Sequence, residues 1–240
     1  MKNNRVYGDF SLIYDRLMED FDYKGWYEEL STILSPWNKS INTCLEIGCG
    51  TGELSKYLAD DYILDAVDLS EDMIKIAKNK GIKANWICED VRKIVGKGKY
   101  DLIVFTSDVI HYIKPSERVE VLIKLREMLS SKGQIIFDAR CLEIMQELDS
   151  AMFQVDEEDL FAVYTYEISD MKNLEIEVQA FFLKEEWIRI KENHKLYLES
   201  SEGWKDIITK ANLKIVSQSK FLTSKEGLEE SLRTMYLLER

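Results

Sequence analysis

The chain has 240 residues, of which 45% are hydrophobic and 11% aromatic, so it can form one large domain with a full core. The formal net charge is -12, and no cluster of Lys and Arg offers a surface for phosphates, which makes nucleic acid a poor candidate partner. No apolar run approaches the roughly 20 residues that cross a bilayer, and no signal peptide follows Met1. We therefore expect a cytoplasmic protein without membrane association.

The four cysteines, Cys44, Cys49, Cys88 and Cys141, are scattered and form no Cys-x-x-Cys pair. This pattern indicates neither a zinc site nor a disulfide framework, and we expect buried free thiols. Histidines and carboxylates do not cluster either, so no metal is predicted.

The first predicted elements are helices. Apolar residues between Tyr14 and Leu34 recur at mostly helical spacing, and Pro36 follows the last of them. They predict one or two helices within an N-terminal helical cap over residues 1–40.

Strands and helices then alternate as far as residue 140. The apolar run 43–47 is closed by glycines, which is typical of a buried parallel strand, and a helix is predicted from residue 53. Further strands are predicted at 63–67, 84–87, 102–105 and 134–138, and further helices at 70–79 and 115–129, the last closed by Lys132-Gly133. The alternation predicts a doubly wound α/β sheet.

The pattern changes after residue 140. Segments 162–169, 174–183 and 187–198 are long and rich in β-branched and aromatic residues, which predicts an antiparallel meander. A helix at 201–211 and strands at 213–219 and 234–238 follow, and the two strands are expected to pair at the edge of the main sheet. We predict a single domain over 1–240 with a β-meander insertion at about 150–198.

A glycine-rich turn, Glu46-Ile47-Gly48-Cys49-Gly50-Thr51-Gly52, follows the first strand and opens a helix. Such a turn lets the backbone approach a ligand closely. Dinucleotide-binding proteins place their third glycine one residue later, where this chain has Glu53. Because a carboxylate repels a pyrophosphate, the turn favours a ligand with no phosphate here. Glu46 is placed to meet a cationic group, such as the amino group or sulfonium of S-adenosylmethionine.

Two further acids close the next strands of the predicted sheet. Asp68 ends the second strand, where a carboxylate can accept hydrogen bonds from both ribose hydroxyls. Asp90 ends the third strand, where a carboxylate can accept from an adenine amino group while the N–H of Val91 donates to the ring. Together with Glu46, these acids predict one crevice at adjacent strand ends.

In these residues the chain resembles the class I S-adenosylmethionine-dependent methyltransferases, through Leu45-Glu46-Ile47-Gly48-Cys49-Gly50-Thr51-Gly52, Ala66-Val67-Asp68-Leu69-Ser70 with Met73, and Glu89-Asp90-Val91. The likeness extends to a bacterial subgroup of small-molecule type, through Tyr7-Gly8-Asp9-Phe10, Tyr14-Asp15, Asp108-Val109-Ile110-His111-Tyr112, Ile135-Ile136-Phe137-Asp138 and Glu192-Asn193-His194-Lys195-Leu196-Tyr197.

The resemblance implies a seven-stranded Rossmann-like sheet in the order 3-2-1-4-5-7-6, with strand 7 antiparallel and the β insertion after strand 5. It implies that Tyr7 and Tyr14 close over the cofactor, S-adenosylmethionine. The residues predicted to bind the cofactor are Tyr7, Tyr14, Glu46, Gly48, Cys49, Gly50, Gly52, Asp68, Leu69, Met73, Asp90, Val91 and Ser107.

Candidate residues for the chemistry follow the fourth strand. His111 is a candidate general base for an amine or hydroxyl acceptor, and packing against a loop is an equally weighted alternative. Asp108, Tyr112 and His194 are the predicted substrate-pocket residues. Aromatic residues of the meander are predicted to form a lid or a homodimer contact.

The sequence therefore predicts N- or O-methylation of a small-molecule acceptor. Two alternatives stay open at this point. One is a non-catalytic S-adenosylmethionine-binding module that acts through the meander, and the other is an NAD-dependent oxidoreductase, against which Glu53 argues.

Overall fold

The helices and strands follow the predicted alternation. A computed structural model describes residues 7–36, 41–96, 99–140, 142, 150–170, 172–221 and 233–240; Cys141 and parts of the predicted cap, 1–6 and 37–40, lie outside them. The helices are α1 Ser11–Leu17, α2 Tyr23–Leu34, α3 Ser55–Asp61, α4 Glu71–Asn79, α5 Pro115–Met128 and α6 Ser201–Lys210. The strands are β1 Thr43–Ile47, β2 Ile63–Asp68, β3 Ala84–Cys88, β4 Tyr100–Phe105, β5 Leu129–Arg140, β6 Met152–Asp156, β7 Leu160–Ser169, β8 Asn173–Leu183, β9 Trp187–Tyr197, β10 Lys214–Phe221 and β11 Arg233–Glu239.

Seven of these strands form one mixed sheet in the order β3-β2-β1-β4-β5-β11-β10. The first five pair in parallel, and β11 runs antiparallel to both β5 and β10. This is the predicted order 3-2-1-4-5-7-6 with strand 7 antiparallel, so the predicted fold class is confirmed.

The side chains of this sheet alternate between two cores. On one face, Ile103 and Phe105 of β4 pack with apolar residues of α5 and α6. On the other, Leu102 and Val104 pack with apolar residues of α2, α3 and α4. Because both faces are covered, the central strands are mostly apolar, as expected for a parallel sheet between helices.

The insertion is a separate four-stranded antiparallel sheet, β6-β7-β8-β9, which we call the meander. Phe10, which directly precedes α1, and Ile13 of α1 pack against its inner face, beside Leu160, Val178 and Ile190. The meander is therefore held against the N-terminal helix, next to the carboxyl ends of the main strands.

Two predicted details were wrong. Helix α5 ends at Met128, and Gly133 lies inside β5, where a Cβ would sit 2.7 Å from the carbonyl oxygen of Tyr100. The glycine thus permits close strand packing and does not stop a helix. Strand β6 was also not predicted, because it has no buried residue and so lacks the apolar alternation of a half-buried strand.

No helix in the described ranges is long and apolar enough to cross a membrane.

Candidate functional site

A cavity of about 250 Å³ lies at the carboxyl ends of the central strands. The sequence-predicted residues that line it are Tyr7, Tyr14, Gly48, Gly50, Asp68, Leu69, Met73, Asp90, Val91, Ser107 and Tyr112. Because Asp90 follows β3 and Ser107 follows β4, the cavity extends across the ends of β3, β2, β1 and β4. Ligands of open α/β sheets bind in such a crevice.

The backbone N–H groups of the glycine turn are bonded within the protein. The N–H groups of Gly48 and Cys49 donate to the carbonyl of Val67 over 2.7 and 3.0 Å. The N–H of Gly50 donates to Oδ2 of Asp68 over 2.9 Å. A phosphate would need these donors. Their engagement supports a ligand without a phosphate at this turn.

Two glycines of the turn give the cavity its shape. Gly48 has a φ of +70°, and a Cβ there would lie 2.2 Å from Cγ2 of Val109. Gly50 has a φ of +54°, and a Cβ there would meet nothing within 4 Å. The backbone of Gly50 therefore faces open space, which leaves room for a ligand against the turn.

Asp68 is held by two backbone groups. Oδ1 accepts from the N–H of Ser70 over 2.8 Å, and Oδ2 accepts from Gly50. Burial raises the pKa of Asp68, although these backbone hydrogen bonds oppose the shift. A carboxylate has about four acceptor sites, so each oxygen can still accept one donor from a ligand.

Asp90 is already paired at the β3 end of the cavity. The guanidinium of Arg92 contacts both of its oxygens, with Nη2 2.6 Å from Oδ2, and also reaches Glu117 at 3.2 Å. Arg92 lowers the pKa of Asp90. Any donor from a ligand must share this carboxylate with Arg92, which the sequence analysis did not identify.

Tyr7 crosses the cavity and is held at three points. Its N–H donates to the carboxylate of Glu192, and its carbonyl accepts from Oγ of Ser70 over 3.1 Å. Its hydroxyl lies 2.7 Å from that of Tyr112, which in turn lies 3.0 Å from Nδ1 of His194. The meander, α4 and the segment after β4 thus fix Tyr7 together.

The sequence and the fold match known methyltransferases. The profile of a methyltransferase domain family matches residues 44–133. A Geobacillus sp. protein whose name assigns it to the methyltransferases by similarity is 24% identical over 98% of this chain and all of its own. Malonyl-[acyl-carrier protein] O-methyltransferase 2 of Ilyobacter polytropus is 29% identical, over 83% of this chain and 77% of its own.

A solved structure of similar extent decides the assignment. The crystal structure of an S-adenosylmethionine-dependent methyltransferase from Clostridium acetobutylicum superposes with a TM-score of 0.83, at 26% identity, over 97% of this chain and 98% of that one. The chain is a class I S-adenosylmethionine-dependent methyltransferase. S-adenosylmethionine is its cofactor, and the NAD-dependent alternative is set aside.

Three predicted cofactor residues of the methyltransferase do not line its cavity. Glu46 is buried and accepts from Oγ of Ser55 over 2.5 Å, and burial raises its pKa to about 8. Cys49 packs into the core. Gly52 has a φ of +86°, and a Cβ there would lie 2.9 Å from Trp86, so this glycine serves packing. None of the three lines the cavity, and their contact with the cofactor stays a prediction.

His111 lacks a free nitrogen in the methyltransferase. Nε2 accepts from the N–H of Arg140 over 2.8 Å, so the ring proton sits on Nδ1, which is 3.0 Å from the carbonyl oxygen of Tyr197. The ring is fully buried, and burial lowers its pKa to about 4. This arrangement corrects the general-base prediction in favour of the packing alternative.

The carboxylate of Asp108 is also bonded within the protein, to two arginines. Arg140 and Arg233 each contact both of its carboxylate oxygens, at distances between 2.7 and 2.9 Å. Burial alone would raise the pKa of Asp108, but these two guanidinium groups hold it well below its usual range. Asp108 does not line the cavity, which corrects its prediction as a pocket residue.

His194 does not line the cavity and lies behind two residues that do, Tyr7 and Tyr112. The sequence analysis missed several lining residues of the methyltransferase: Ile47, Val67, Ser70, Glu89, Arg92, Val109 and Ile113. All of them except Arg92 and Ile113 belong to the motifs that carry the resemblance, and the rule that strand ends meet at one edge could have added them to the site. Arg92 carries no such signal, because a charged residue after a strand is usually solvated.

Proposed function

We propose that this methyltransferase transfers the methyl group of S-adenosylmethionine to a nitrogen or oxygen of a small-molecule acceptor. The observation that carries the proposal is a single cavity that joins the strand-end acids Asp68 and Asp90 to the hydroxyls of Tyr7 and Tyr112. The net charge of -12 speaks against a nucleic-acid acceptor.

Each part of the cofactor has candidate partners in this cavity. Asp68 keeps acceptor sites for ribose hydroxyls, and Asp90 with Val91 lies at the end proposed for adenine. The open backbone at Gly50 is proposed to receive the methionine end, with Tyr14 covering it. Leu69, Met73 and Ser107 complete the proposed wall.

For methyl transfer from a sulfonium, the main contribution of the protein is to position the acceptor. S-adenosylmethionine supplies a methyl group that its sulfonium has already activated. The chain aligns the acceptor for in-line attack, and such alignment contributes up to about 7 to 11 kcal/mol in favourable cases. No general base is proposed, since the nitrogens of His111 are both bonded to backbone groups.

Calorimetry with S-adenosylmethionine tests the first step, and formation of S-adenosylhomocysteine with a panel of amines and alcohols tests the second. Binding together with acceptor-dependent turnover is the expected result. Absence of binding at concentrations far above cellular ones contradicts the proposal. Binding without turnover for any acceptor would favour the non-catalytic binding module.

We also propose that the chain forms a single domain. We propose in addition that it forms a homodimer through the outer face of the meander. Phe161, Phe181 and Trp187 are 37%, 43% and 54% exposed there, and exposed apolar patches mark contact surfaces. Sedimentation velocity tests it: a dimer that Phe181→Lys converts to monomer is expected, whereas a wild-type monomer at micromolar concentration rejects it. The cytoplasmic location stays a prediction.

A further inference from the structure

Three hydrogen-bonding side chains lead from the cavity into the meander. The hydroxyl oxygens of Tyr7 and Tyr112 are 2.7 Å apart, and Nδ1 of His194 is 3.0 Å from that of Tyr112. Both tyrosines line the cavity, whereas His194 is buried behind them on β9. Tyr112 follows β4, whereas Asp90 and Arg92 follow β3, and two strands of the sheet lie between β3 and β4.

The direction of these hydrogen bonds can be assigned. Burial lowers the pKa of His194 to about 4, so the imidazole is neutral near pH 7 and carries one proton. Oε1 of Glu192 lies 3.9 Å from Nε2, and although burial raises the pKa of Glu192 to about 7, this carboxyl oxygen favours the proton on Nε2. Nδ1 then accepts from Tyr112, whose oxygen in turn accepts from the hydroxyl of Tyr7.

The Tyr7 oxygen is left with lone pairs, because its single proton is given to Tyr112. Glu192 and Ser70 hold the backbone of Tyr7 on both sides, and Tyr112 holds its hydroxyl. His194 also packs against the Tyr7 ring, with centroids 4.8 Å apart. The cavity wall therefore presents a fixed hydrogen-bond acceptor.

The charges of the residues that line the cavity also favour a group that donates a hydrogen bond to Tyr7. Among the described lining residues, Asp68, Glu89 and Asp90 are acidic and Arg92 is the single cation. Arg92 is paired with Asp90 and Glu117 at the β3 end. A carboxylate placed beside Tyr7 would face these lone pairs, and among the described lining residues no cationic side chain lies beside Tyr7 to compensate that repulsion.

We propose that the series Tyr7–Tyr112–His194 selects methyl acceptors whose reacting group donates a hydrogen bond, an amine or an alcohol, and rejects carboxylates. Tyr7 contacts the reacting group, and His194 is a positioning residue that acts through Tyr112. The inference rests on the proposed function, because it concerns the acceptor end of that same site.

The probe is sinefungin, an analogue of S-adenosylmethionine in which an amine-bearing carbon replaces the methylated sulfonium. S-adenosylhomocysteine lacks that group and is its matched reference. Calorimetry on the full chain gives both dissociation constants, and the change in their ratio between wild type and variant reports the contribution of the series to binding of the amine. We expect sinefungin to bind more tightly than S-adenosylhomocysteine.

The variants remove one member of the series at a time. Tyr7→Phe and His194→Leu should each lower the sinefungin preference by about 10-fold or more, as for loss of a hydrogen bond to a charged group. His194→Asn places an amide near the position of Nδ1 and should keep most of the preference. Tyr164→Phe, a matched change in the meander outside the series, should leave it unchanged.

The outcomes separate the two proposals. If neither ligand binds the wild-type protein, the proposed function fails, and this inference fails with it. If S-adenosylhomocysteine binds while Tyr7→Phe and His194→Leu leave the preference intact, only the inference is overturned. Binding of S-adenosylhomocysteine by each variant also confirms that the variant is folded.

Discussion

Nε2 of His111 accepts a hydrogen bond from the backbone N–H of Arg140 over 2.8 Å. This contact ties the segment after β4 to the end of β5 and consumes the lone pair that a general base would need. On the other side of the ring, the backbone carbonyl of Tyr197 accepts a hydrogen bond from Nδ1. The histidine that the sequence marks as a base is therefore bonded as a structural link between three elements.

We expect His111→Ala to destabilise the protein by about 2 kcal/mol or more, since two backbone partners lose their bonds inside the core. Urea unfolding measures the loss. The pH profile of turnover, measured on the folded fraction, should keep its shape. Loss of an ionisation near neutral pH without a change in stability would restore the base role.

Asp68→Ala should weaken S-adenosylmethionine binding by about 1.5 to 3 kcal/mol, the range for hydrogen bonds to a charged group. Calorimetry at one pH compares it with Asp72→Ala, an exposed acid on α4 that contacts Lys75. The control should bind like wild type. Equal affinity in both variants would remove Asp68 from the site.

Glu46 should make the cofactor-free protein less stable as pH rises. Burial raises its pKa to about 8 from 4.5, so the folded state holds more protons than the unfolded state between these values. Stability is therefore lost across this window, by at most about 3 kcal/mol at pH 7, given about 1.36 kcal/mol per pKa unit.

Glu46→Gln tests this dependence, since the amide cannot ionise. Urea titrations of the wild type and the variant at pH 5 and pH 8 should show a smaller pH effect in the variant. The same pH effect in both proteins would show that Glu46 ionises normally in the folded state.

Gly48 and Gly81 allow a matched comparison, because their φ angles are +70° and +71°. An alanine at either position carries a left-handed cost of about 1 to 2 kcal/mol. At Gly48 alone the new methyl would also strike Val109. Gly48→Ala should therefore unfold at clearly lower urea concentration than Gly81→Ala, and equal midpoints would contradict the packing seen here.

Gly50→Ala separates folding from binding. Its methyl would enter open space beside Asp68, so the stability loss should match that of Gly81→Ala. The same methyl should obstruct the ligand and weaken S-adenosylmethionine binding by at least about 10-fold, or about 1.4 kcal/mol. Unchanged affinity in calorimetry would place the methionine end elsewhere.

Much of the fold could be predicted because its signals are local. Apolar runs closed by glycines or acids mark the buried strands, and a resemblance through motifs at their ends implied the sheet order that is observed. The prediction failed where the signal was ambiguous. Gly133 was interpreted as a helix end, and only the carbonyl of Tyr100 beside it shows why a glycine is required within β5.

By itself, the sequence determined the strand-end acids, the glycine turn and the cofactor class, since these depend on residue type and spacing along the chain. Only the tertiary structure decided which polar groups remain available. The polar atoms of His111 and Asp108 are bonded to Arg140 and to other residues distant in sequence, so they are not available for the predicted roles. Hydrogen bonds between residues far apart in sequence follow from packing, and no local pattern encodes them.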